Sequence, residues 1–101
     1  MLAQAESVLV SAASIWEIEI KRSTGRLEAP TDVGERALDE GFEPLSITVA
    51  HALVAGRLPR HHRDPFDRML LAQASVDALT LATADSTLSR YDVPLLSVTR
   101  A

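Results

Sequence analysis

Cysteine is absent from all 101 residues, which excludes a disulfide framework and any thiolate metal site, zinc fingers among them. The composition fits a reducing, cytoplasmic setting. Long apolar runs are missing too: no stretch approaches the roughly 18–20 residues that span a bilayer, so no membrane association is expected. The opening Leu2-Ala3-Gln4-Ala5-Glu6 lacks a cationic start, and a targeting peptide is not expected either. There is no excess of positive charge. The formal net charge is −4, which argues against broad electrostatic attachment to nucleic acid and confines any RNA or DNA contact to a local patch. Internal repeats and low-complexity tracts are also lacking.

What is present is the make-up of one ordinary folded domain. At 47% hydrophobic and 24% charged, the chain lies far from the low-hydrophobicity, high-charge signature of disorder. Its length suits a single domain spanning 1–101.

The chain alternates short apolar strands with helices. Ser7-Val8-Leu9-Val10 reads as a strand. The following helix carries Ile15, Trp16, Ile18 and Ile20 and ends at Gly25, with Ser14 three residues before Glu17 as a capping box. Trp16 is expected in the core. Thr31 or Asp32 starts a second helix that reaches about Glu40, with Gly41 as its stop. Phe42 to Ile47 reads as a strand near an edge because of Pro44. Thr48 caps a helix over Val49 to Ala55, stopped by Gly56. Asp64 then caps another, with Pro65 at its first position and Phe66, Met69, Leu70 and Ala74 at core spacing. Strands at Leu79–Thr83 and Pro94–Val98 complete the pattern. Such alternation argues for an α/β fold with a mostly parallel sheet flanked by helices.

In an open α/β sheet, ligands sit beyond the carboxyl ends of the strands. Asp85 follows one strand, Asp67 opens the helix leading into that strand, and Glu17 is expected in the first turn after the first strand. Three carboxylates at one rim repel one another, and a cation relieves that repulsion. Hard oxygen donors select magnesium or manganese, ions that promote phosphodiester hydrolysis. Each acid also has a plainer explanation. Glu17 suits a capping box with Ser14 or an i,i+4 pair with Lys21; Asp64 suits an N-cap, Asp67 a dipole-favoured first turn, and Asp85 the cap of Ser86–Ser89. His51, His61 and His62 lack metal-ligand spacing and suit loops or the surface. The segment Arg57–Arg63 holds three arginines and two histidines in seven residues and is either a solvated loop or a local RNA contact.

Three segments together resemble a known family. These are Ser11-Ala12-Ala13-Ser14-Ile15-Trp16-Glu17-Ile18-Glu19-Ile20-Lys21, Leu58 to Ala74 with its His61-His62-Arg63-Asp64-Pro65-Phe66-Asp67-Arg68 string, and Leu79-Thr80-Leu81-Ala82-Thr83-Ala84-Asp85. They are similar to PIN-domain proteins, and most of all to VapC-type toxins of bacterial toxin–antitoxin pairs. The resemblance implies a three-layer α/β domain and a Mg2+- or Mn2+-dependent ribonuclease with an RNA substrate. It also implies inhibition by a cognate antitoxin and a homodimer. By matching, Glu17, Asp67 and Asp85 stand at the family's second, third and fourth acid positions. The family's first acid is an aspartate ending a central first strand. Here Met1 falls inside the helices that follow that strand, so the expected fold lacks the first strand. Arg63 and Arg68, adjacent to the acids, are expected to contact phosphate. Two other classes compete. A non-catalytic fragment could keep an antitoxin-binding surface, while a phospho-accepting receiver domain is disfavoured because no strand ends in an acid pair and no lysine follows the last strands.

Overall fold

A computed structural model describes residues 8–60, 64–83 and 95–97. The chain falls into two compact units, Met1–Ser46 and Ile47–Ala101. The first runs β1 (Leu9–Ser11), α1 (Ala12–Ser23), α2 (Val33–Asp39) and β2 (Glu43–Leu45); the second runs α3 (Val49–Arg57), α4 (Pro65–Val76), β3 (Leu81–Thr83) and β4 (Leu95–Ser97). The protein is therefore α/β, and among the described residues the strands form one parallel pair in each unit.

In the first unit β1 passes straight into α1. Ser11 is both the last strand residue, opposite Leu45, and the helix N-cap, its hydroxyl oxygen accepting from the Ala13 N–H at 3.0 Å. The cap was expected three residues later, at Ser14. A strand that ends at Ser11 leaves the first free N–H groups of the helix there, and a serine beside them takes the role. Trp16 is 60% exposed rather than in the core.

The helix ends follow local chemistry. At the end of α1 the Gly25 N–H reaches Arg22 O and the Arg26 N–H reaches Lys21 O; at the end of α2 Gly41 reaches Leu38 O and Phe42 reaches Ala37 O. Both are Schellman closures, and both place a glycine at positive φ, 75° and 97°, where no Cβ is present to clash. One of the two bonds of that closure also ends α4, where the Leu79 N–H reaches Ala74 O, but here an alanine, Ala78, takes φ 55°.

The second unit is built on the α3/α4 pair. Leu71, Ala72, Gln73 and Ala74 are buried on α4, and His51 and Ala55 on α3. β3 pairs with β4 in parallel, Leu81 opposite Leu95 and Thr83 opposite Ser97.

Candidate active site

The start of α4 is specified residue by residue. Asp64 is the N-cap, its Oδ1 accepting from the N–H groups of Phe66 at 2.9 Å and Asp67 at 3.3 Å. Pro65 at the first helical position has no N–H to leave unpaired. Asp67 lies in the first turn, half-buried, where the positive end of the helix dipole favours an anion. Arg68 turns to α3. Its guanidinium donates to Ala55 O at 2.8 Å and Leu58 O at 2.9 Å through one terminal nitrogen, and to Pro59 O at 3.1 Å through the other.

Glu17 lies in the first unit, on α1. Because the helix begins at Ala12, Glu17 is in its second turn rather than its first. Its Oε2 is 3.2 Å from Lys21 Nζ, so the i,i+4 pair is formed. Asp67 belongs to the second unit. Asp85 and Arg63 lie outside the described residues, as do His61 and His62. Among the described residues of either unit, no three His, Asp or Glu side chains gather into a metal-binding group. The chemistry of the expected donors nevertheless suits a hard divalent cation, since Glu17 and Asp67 offer carboxylate oxygens and neither side chain is fully buried.

Sequence reasoning placed His51 on a loop or the surface, and the structure corrects this. His51 is 1% exposed. The Thr48 N–H donates to its Nδ1 at 3.0 Å, while the His51 N–H donates to Thr48 Oγ1 at 3.2 Å, a reciprocal capping box. Nδ1 thus carries the lone pair, which assigns the hydrogen to Nε2, 3.0 Å from Asp77 Oδ2 at the end of α4. The cluster joins the beginning of α3 to the end of α4, as Arg68 joins the end of α3 to the beginning of α4. The signal was there: His51 stands three residues after Thr48, in the glutamate position of a capping box.

The first unit also contains an open hollow of about 420 Å³, lined by Ile15, Trp16, Gly34, Leu38, Pro44 and Leu45 among others. Its walls are largely apolar, and Trp16 and Leu38 are among the exposed large side chains of the chain. Among the described residues, no helix is long and apolar enough to cross a membrane.

No curated protein and no solved structure matches the chain. The model of one family, the PIN domain, matches residues 1–94. PIN domains are generally nucleases and typically use divalent metals. The match runs through both units and takes in Glu17, the Asp64–Arg68 segment and Asp85, and by it the chain belongs to the PIN domain family.

Proposed function

We propose that the protein is a metal-dependent endoribonuclease of the toxin–antitoxin type, cleaving RNA at a site that draws on Glu17, Asp67 and Asp85. The observation that carries this reading is the build of the α4 start, where one carboxylate, Asp64, fixes the backbone by capping and leaves a second, Asp67, half-buried in the first turn. Two acids so close in sequence thereby hold different tasks. Family membership supplies the nuclease chemistry, and the string from His61 to Arg68 resembles VapC-type toxins.

Glu17, Asp67 and Asp85 would hold Mg2+ or Mn2+ through carboxylate oxygens. The bound ion would neutralise phosphoryl oxygens and lower the pKa of an attacking water. Arg63 would bind a neighbouring phosphate. Arg60, described and exposed, adds to the same basic segment. A net charge of −4 leaves such a local patch as the means of holding RNA. A cognate antitoxin, a homodimer and a cytoplasmic location belong to this reading.

A second reading is favoured by the apolar hollow beside Trp16 and Leu38: a non-catalytic PIN fragment that serves as an antitoxin-binding or protein-interaction module. The test separates the two. Manganese is titrated into the protein and into Asp67→Asn, with free metal followed by paramagnetic resonance and folding checked by circular dichroism. The nuclease reading expects saturable binding that Asp67→Asn weakens by more than about 100-fold, the upper range for losing a residue that merely supports a ligand, and RNA cleavage that falls with it. Equal binding by both proteins, or none by either, rejects the metal site and leaves the interaction module.

A further inference from the structure

The end of α3 differs from the ends of α1, α2 and α4. α1, α2 and α4 close on a residue at positive φ that returns N–H groups to the last carbonyls. α3 instead leaves the helical path at Leu58, which is extended at φ −62° and ψ 148°, and its glycine, Gly56, lies within the helix. No Schellman closure forms there, and carbonyls that such a closure would satisfy need another donor. Arg68 is the donor for one of these, Ala55, and also binds the two carbonyls that follow the last helical residue, Leu58 and Pro59. Its two terminal nitrogens reach the carbonyls of Ala55, Leu58 and Pro59 at 2.8–3.1 Å, and its charge suits the negative end of the α3 dipole.

The geometry points to Arg68 as a positioning residue, one that fixes the first turn of α4, and with it the Asp67 carboxylate, against the end of α3. The inference rests on the nuclease reading of Asp67, but it gives Arg68 a different task from the phosphate contact that its place beside the acids suggests. Arg68 is the covalent neighbour of Asp67, so a shift of the first turn of α4 relative to α3 strains all three bonds. Lysine cannot substitute. A guanidinium places two nitrogens in a rigid fork across three carbonyls, whereas an ammonium is a single point. A ligand moved by about 1 Å loses roughly 100-fold in a well-oriented reaction, and partners that orient metal ligands are worth about 10- to 100-fold in affinity.

The experiment compares Arg68→Lys and Arg68→Gln with Asp67→Asn in the intact chain. Three properties are read: amide hydrogen exchange, Mn2+ affinity by paramagnetic resonance, and the kcat and KM of RNA cleavage as a function of salt. Positioning predicts that both Arg68 variants exchange faster at Ala55–Leu58 and Phe66–Arg68 while α1 is unchanged. It further predicts that Mn2+ affinity falls by about 10- to 100-fold and that kcat falls while KM and its salt dependence stay put. A lysine variant with wild-type exchange and Mn2+ affinity overturns the inference, since charge alone then suffices. A raised KM with a shallower salt dependence in Arg68→Gln, with kcat retained, also overturns it and makes Arg68 a phosphate contact. Undiminished Mn2+ binding by Asp67→Asn is a separate failure. It removes the nuclease reading itself, and this inference with it, whatever the Arg68 variants do.

Discussion

Replacing His51 with alanine tests whether the second unit is held together at the far end of its helix pair. The ring is 1% exposed and joins Thr48 N–H at 3.0 Å to Asp77 Oδ2 at 3.0 Å. A neutral hydrogen bond contributes about 0.5–1.5 kcal/mol net, and one to a charged group about 1.5–3 kcal/mol. Asp77 is 37% exposed, so water screens its share toward the lower end. The emptied ring volume adds a cavity term that partial collapse reduces. Together these give a loss of about 2–4 kcal/mol. Hydrogen exchange is the assay, because it resolves α3 and α4 from the first unit where one melting curve does not. Amides of both helices that exchange through their shared opening should speed up roughly 30-fold to nearly 1,000-fold, at a factor of ten for about 1.4 kcal/mol. A cycle with Asp77→Ala isolates the pair, with an expected coupling of about 1–2 kcal/mol, beyond the roughly 0.5 kcal/mol within which independent sites add. Additive single changes, or an α4 that exchanges as in the parent protein, would refute the assignment of His51 as the joint between the two helices.

Two further outcomes follow from the same structure. Ala78→Gly should stabilise the protein by about 0.5–1 kcal/mol, since an L-residue at φ 55° carries a cost of roughly 1–2 kcal/mol that glycine avoids, less the entropy glycine adds to the unfolded chain. A higher urea midpoint at unchanged slope checks it, and a lower midpoint would show that the Ala78 methyl contributes more by packing than its backbone costs. Leu71→Ala, at a position with 0% exposure, should lose about 2–5 kcal/mol; Trp16→Ala, at 60% exposure, should lose about 1 kcal/mol or less. Urea unfolding compares the two, and equal losses would mean that Trp16 belongs to a core.

Much of the fold was legible because helix ends are decided by a few adjacent residues. Asp64-Pro65, Thr48 and Gly41 each act through a cap, a missing N–H or a positive φ, and all three take the predicted positions; of the two candidates Thr31 and Asp32, the second helix starts after Asp32, whose carboxylate pairs with Arg36 rather than capping. The parallel pairing was legible from the alternation of strands and helices. Tertiary choices were harder to read. Ser11 and Ser14 are equally good caps, and the end of β1 selects between them. His51 reads as polar, and what buries it is a partner 26 residues away in sequence. Arg68 reads as a free cation beside two acids, yet three carbonyls at the end of the previous helix hold it.

The displaced cap also bears on Glu17. At 1.5 Å of rise per residue, a helix that starts three residues early carries Glu17 about 4.5 Å farther from the strand end than a first-turn acid would be. Side chains on a helix lean toward its N-terminus, and glutamate exceeds aspartate by one methylene, so the carboxylate recovers part of that distance when it extends back toward β1. The pair with Lys21 draws it the other way, one turn toward the end of α1. With Lys21 half exposed, at 48%, and Glu17 at 24%, such a pair is worth about 0–1 kcal/mol. Twice the charge would favour a divalent cation over the Lys21 ammonium at the same oxygen, set against the cost of dehydrating the ion. The Glu17–Lys21 pair is therefore compatible with a ligand role: a glutamate that bound a cation would change rotamer and release Lys21 to solvent.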